Sequence, residues 1–258
     1  MSDLFRVLVF SRTTAYRHAS IPAGIRALHC LAAASAAGPH PFAVDDSEDA
    51  TVFSPGSLAA YRVIVLLQCS GEFLDRTQLD ALRGFVQAGG GIVAVHCASF
   101  AMQSSEWYGR LIGAVFDNHP EPQVGLVKVL DPQHPIISWG VCAREGGTDQ
   151  SAEKAQIAHR QQQPERVWRD EWYNFKKHPR ATSDGLHVLL GVDEKSYQGG
   201  AHGNDHPIAW CQTFDGGRCF YTALGHFDEA YEDDWFMGQL HRGILWAAGL
   251  EESKRRGC

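Results

Sequence analysis

Three short apolar runs, Phe5–Phe10, Arg62–Leu67 and Ile92–Val95, are separated by two segments with helical spacing, Ile21–Ala36 and Asp75–Ala88. Strand, helix, strand, helix, strand in that order predicts an α/β fold with a parallel sheet and right-handed crossovers. The middle run is apolar at nearly every position, as expected for a strand buried on both faces. Ser20 and Pro22 read as the start of the first helix, Gly38-Pro39 as its end, and Asp75 with Gln78 as a capping box on the second. A short strand, Phe42–Val44, lies between them. Further strands are expected at Gln123–Leu130, Trp168–Phe175, His187–Val192, Ile208–Phe214 and Arg218–Leu224, with a closing amphipathic helix over Asp234–Ala248. Their pairing is not readable from pattern. Residues 142–166, rich in Gln, Glu, Arg and Gly, read as a surface loop or short helices.

The chain has 258 residues, 44% of them hydrophobic, enough for a single domain spanning 1–258. Its net charge of -7, with the one dense basic cluster at Lys254, Arg255 and Arg256, argues against a nucleic-acid partner. No apolar run is long enough to span a bilayer and the N-terminus lacks a signal-peptide pattern, so the expectation is no membrane partner and a cytoplasmic location. Seven cysteines, an odd number without a C-x-x-C pair, fit a reducing compartment. A homo-oligomer is left open.

In parallel sheets ligands sit beyond the C-terminal ends of the strands, so the polar residues there are the ones that matter. His18, Gln68, Ser70, His96 and Cys97 occupy such positions in the first half. The triple glycine Gly89-Gly90-Gly91 precedes its strand and reads as a helix stop, since a phosphate loop would follow the strand. Five histidines, His18, His96, His119, His206 and His226, follow strands or sit in polar turns. With Asp170 and Glu171 they suit acid–base work near neutral pH or metal binding. The metal candidates are His96, His119, Glu171 and His226, with zinc first among divalent ions; the alternative is that they hydrogen-bond one another and a substrate with no ion. Trp172 and Tyr173, beside the paired carboxylates, are the pattern of a sugar site, where rings pack on apolar sugar faces. Cys97 stands where a nucleophile elbow would place a nucleophile. With His226 as base and Asp228 as orienting carboxylate it gives an amidohydrolase-like alternative, although the elbow's flanking glycines are replaced by Val95 and Ser99.

These segments together resemble the ThuA-like, or trehalose-utilisation, family within the class I glutamine amidotransferase-like superfamily. The resemblance is carried by His18, GGGIVAVHCA at 89–98, GAVFDNHP at 113–120, DPQHPI at 131–136, DEWYNF at 170–175, His206-Pro207 with Trp210, and GGRCFYTALGH at 216–226. It implies a flavodoxin-like, three-layer αβα fold with a mostly parallel central sheet, and a link to the catabolism of keto-sugars or disaccharides. His96, His119, Glu171 and His226 match the family, whereas the position of Cys97 is commonly another residue there, which counts against the triad. The expected enzyme is a hydrolase or isomerase acting on sugars. His96, Glu171 and His226 would be catalytic, and His18, His119, Trp172, Tyr173 and His206 would contact a small-molecule sugar. A non-catalytic sugar-binding module is the alternative from another class.

Overall fold

The apolar runs pair into one sheet. In the computed structural model, which describes residues 4–138, 165–183 and 185–250, the strands are β1 (Phe5–Phe10), β2 (Phe42–Ser47), β3 (Val63–Leu67), β4 (Gly91–Val95), β5 (Phe116–Asn118), β6 (Gln123–Val129), β7 (Glu165–Asp170), β8 (Asn174–Phe175), β9 (His187–Asp193), β10 (Pro207–Phe214) and β11 (Gly217–Thr222). The helices are α1 (Ile21–Ser35), α2 (Pro55–Leu58), α3 (Arg76–Gln87), α4 (Glu106–Ile112) and α5 (Asp234–Ala247). Nine strands form the central sheet in the order β2-β1-β3-β4-β11-β10-β9-β6-β7. From β2 to β11 the neighbours are parallel. That is the 2-1-3-4-5 order of a flavodoxin-like sheet, with β11 in fifth place. From β11 outward, β10, β9, β6 and β7 continue the sheet antiparallel.

β3 and β4 are buried at every residue, because helices cover both faces of the sheet. The capping box of α3 is formed, Asp75 accepting from the Gln78 N–H and Gln78 from the Asp75 N–H. Ser20 differs from its expected role as a helix cap. Its hydroxyl makes no cap hydrogen bond and instead donates to the His226 carbonyl. The strand expected over Trp168–Phe175 is broken into β7 and β8. Asp170 accepts the backbone N–H of Glu171, so the chain leaves the ladder and turns inward. Residues 142–164 of the expected loop, and the basic tail, lie outside the described residues; Glu165 and Arg166 open β7. No helix among the described residues is long and apolar enough to cross a membrane.

Candidate metal centre

Because β1, β4 and β11 are parallel, the segments after them meet at one edge of the sheet. The loop after β1 brings His18, the 3₁₀ turn His96–Phe100 brings His96, and the chain beyond β11 brings His226. The turn between β7 and β8 adds Glu171. His96 adopts a left-handed backbone, φ +53°, a conformation that costs about 1–3 kcal/mol for a non-glycine residue. Gly225, with φ +116°, turns the chain after β11. A side chain there would press on Phe236, the Tyr231 hydroxyl and Val95.

The donor atoms converge. His96 Nε2 lies 3.1 Å from His18 Nε2 and 3.2 Å from Glu171 Oε2. Glu171 Oε2 is also 3.2 Å from His226 Nδ1 and 3.7 Å from His18 Nε2. One ligand atom from each of His18, His96, Glu171 and His226 fits within 4.8 Å of all the others, so this group could hold a metal ion. The tautomers follow from the outer contacts. His96 Nδ1 is 2.6 Å from the Ala223 carbonyl, which can only accept, so Nδ1 carries the proton and Nε2 offers its lone pair. The Cys97 thiol donates to the Gln68 carbonyl, leaving its sulfur to accept from His18 Nδ1 at 3.4 Å. His18 Nε2 therefore also presents a lone pair to the cluster. The Tyr173 hydroxyl, 2.9 Å from His96 Nε2, can donate to one of these acceptors. His226 Nδ1 is buried and, despite its 3.2 Å approach to Glu171, makes no hydrogen bond.

Burial draws the His18 imidazole down to about 4 against the opposing pull of Glu171. For Glu171, burial pushes the carboxyl up, but the contacts from His18, His226 and His96 outweigh it and hold the group far below the usual carboxylate range. The ring of His96 is fully buried, while His119 is the open side: its Nε2 is 3.5 Å from Glu171 Oε1, and its ring stacks on Tyr173 at 5.7 Å.

Behind the cluster, Asp170 organises two of its members. Its carboxylate accepts from the backbone N–H groups of Gly225, His226 and Glu171 and from Trp168 Nε1. Gln68, also left-handed at φ +52°, donates to the Gly225 carbonyl and bridges to Tyr231 and Ser20.

The structure regroups several residues read from sequence. His18, placed with the substrate contacts, stands in the donor cluster, and His119, placed both among the metal candidates and with the substrate contacts, stands at its rim. Trp172 is fully buried: its Nε1 donates to the Gln123 carbonyl and its ring packs against Gly125, so it offers no face to a sugar. His206 lies behind Tyr173, its Nε2 donating to the Tyr173 carbonyl and its Nδ1 facing Glu194 and Tyr197. It supports the segment and does not reach the cluster. The Cys97–His226–Asp228 grouping is not assembled. Cys97 meets His18, His226 meets Glu171, and burial pushes the Cys97 thiol up. The strained position of the strand-exit turn is held by His96, one residue before the cysteine. Ser20 as the anchor of His226 was not read from sequence, and only its place after a strand hinted at it.

A family model described as trehalose utilisation, ThuA, matches residues 6–247. No protein with a curated description matches the chain. Among solved structures, a ThuA-like protein from Bacteroides uniformis is similar at 22% identity and a TM-score of 0.69, covering 96% of this chain and 93% of that one. One from Parabacteroides merdae has 17% identity and the same TM-score, covering 98% and 93%. A cytoplasmic protein from Salmonella typhimurium is similar at 12% identity and a TM-score of 0.56, covering 93% and 98%. At these identities the likeness is one of fold, while the family match spans nearly the whole sequence: the chain belongs to the ThuA, trehalose-utilisation, family.

Proposed function

We propose that the protein is a divalent-metal-dependent enzyme of sugar catabolism, acting on a disaccharide or a keto-sugar in the cytoplasm, with zinc as the first candidate ion. The observation that carries this reading is the crowding of lone pairs. His18 Nε2, His96 Nε2, Glu171 Oε2 and His226 Nδ1 face one another with too few protons between them. Such a set needs a positive charge at its centre. A proton on His18 is a poor candidate at neutral pH, because burial draws that imidazole down to about 4. Donors about 2.0–2.1 Å from a tetrahedral zinc stand about 3.3–3.4 Å apart; here His96 lies 3.1 Å from His18 and 3.2 Å from Glu171, Glu171 lies 3.2 Å from His226 and 3.7 Å from His18, and all four donors fall within 4.8 Å of one another. The Nδ1–H of His96, bound to the Ala223 carbonyl, is the outer contact that fixes a ligating imidazole.

A bound ion would polarise a sugar oxygen or activate a water. Three histidines would hold it. Glu171, whose Oε1 turns toward the open side at His119, would serve as ligand at rest and as general base once its histidine contacts are given to the ion. Tyr173 would orient the substrate oxygen. The cytoplasmic setting is supported by the Salmonella neighbour, which is described as cytoplasmic.

Elemental analysis of protein purified without a polyhistidine tag tests the reading. About one equivalent of a divalent transition metal per chain is expected, lost in His96→Ala, together with turnover of a sugar panel that stops on chelation. Under about a tenth of an equivalent, with no rise in Tm on adding zinc, would overturn it. Metal bound without turnover of any sugar would favour a binding module instead.

A further inference from the structure

Beside the cluster, on the far side of His226, lies a concavity. A pocket of about 290 Å³ is lined by Trp168, Arg169, Phe227, Glu229, Ala230 and Asp233. It is joined to the centre by sequence and by contact, since Phe227 follows His226 and their rings meet at 4.4 Å. On the other wall, Arg169 precedes the Asp170-Glu171 pair. Its guanidinium sits 4.1 Å from the centre of the Phe227 ring and makes no hydrogen bond among the described residues. Glu229, exposed at the rim, has no hydrogen-bond partner among them either. Asp233, by contrast, is engaged with Arg166 and with the first N–H groups of α5.

We infer that this pocket is a carbohydrate subsite that holds the non-reacting ring of a disaccharide while the reacting part lies at the histidine cluster. This rests on the proposed action on sugars and adds where the second ring sits. The size falls just below the about 300–1,000 Å³ that holds drug-sized ligands, which limits the occupant to one ring. The wall chemistry fits a polyol. Trp168 and Phe227 contribute aromatic carbon to the lining, the Phe227 ring carrying the Arg169 guanidinium over its centre, and Arg169 and Glu229, which make no hydrogen bond among the described residues, offer a donor and an acceptor for hydroxyls. The mixed charge disfavours a phosphate, which would have to approach Glu229 and Asp233. The aromatic contact expected of Trp172 falls instead to two rings that do face a cavity.

Calorimetric titration with trehalose and with glucose, on wild type, on the double variant Arg169→Ala/Glu229→Ala, and on Glu232→Gln as a control outside the pocket, tests the subsite. Trehalose should bind the wild type and the control about tenfold more tightly than glucose, the worth of one or two charge-assisted hydrogen bonds. The double variant should bring the two sugars within about twofold of each other. Equal binding of both sugars by wild type, binding of neither, or a preference that survives the double substitution would overturn the subsite. Zinc content read on the same samples separates the two claims. A pocket-dependent preference in protein that takes up no zinc leaves the subsite standing and removes the metal, and zinc without the preference does the reverse.

Discussion

His96 carries more constraints than any other residue of the centre. It accepts a left-handed backbone, commits Nδ1 to the Ala223 carbonyl, and turns Nε2 toward His18, Glu171 and Tyr173. Its neighbour Cys97 is held differently: the thiol is buried, donates to the Gln68 carbonyl and is pushed up by desolvation. A thiol of that kind is a poor nucleophile. Folded protein at pH 7 should leave Cys97 unmodified by iodoacetamide, read by peptide mass spectrometry, and rapid labelling of the native state would contradict the assignment. Asp170 matters through other residues. Asp170→Asn places an amide among four N–H donors and should loosen Glu171 and His226 together. Loss of such outer contacts weakens metal affinity by about 10–100-fold. A zinc titration of Asp170→Asn with wild-type affinity would show that the carboxylate does not position the site.

At the scale of elements, β1, β3 and β4 are legible in the sequence because each is a nearly continuous apolar run followed by a polar exit, whereas the place of β11 beside β4 is not. His18, His96 and His226 were found by that rule. What was not legible came from long-range pairing. Whether His18 or His119 joins the cluster depends on how far the loop after β1 folds inward, and no local pattern encodes that. The break between β7 and β8 was missed because the turn is made by one side chain, Asp170, which captures N–H groups from a segment 55 residues away. Trp172 looked like a ligand platform from its neighbours in sequence, yet its ring fills the space over Gly125. Packing between elements also predicts a separation of stability from function. A Cβ on Gly91, where β4 meets α5, would come within 2.5 Å of the Ala247 carbonyl oxygen. Gly91→Ala should therefore cost about 1–3 kcal/mol, seen as a lower Tm with unchanged zinc stoichiometry. An unchanged Tm would mean that α5 yields there.

For the molecule as a whole, half-buried histidines set the response to acid. Burial draws His202 down to about 4, helped by the charges of His206 and His178, and burial with Arg242 does the same for His241. In the unfolded chain both titrate near about 6.5. Between those values the unfolded state binds more protons, so their contribution is complete above about pH 6.5 and is lost as pH falls toward 4. His18 and Glu171 act in the same direction. Thermal melts of chelator-treated protein should show Tm falling steadily from pH 7 to pH 5, and a flat or rising Tm would contradict this burial account. The central claim is that four side chains from distant segments surround one cation. X-ray absorption at the zinc edge of stoichiometrically loaded protein reads that shell directly. The account predicts nitrogen and oxygen neighbours at about 2.0–2.1 Å with the outer-shell scattering of about three imidazoles. A sulfur neighbour at about 2.3 Å, or a shell of oxygen without imidazole scattering, would contradict it.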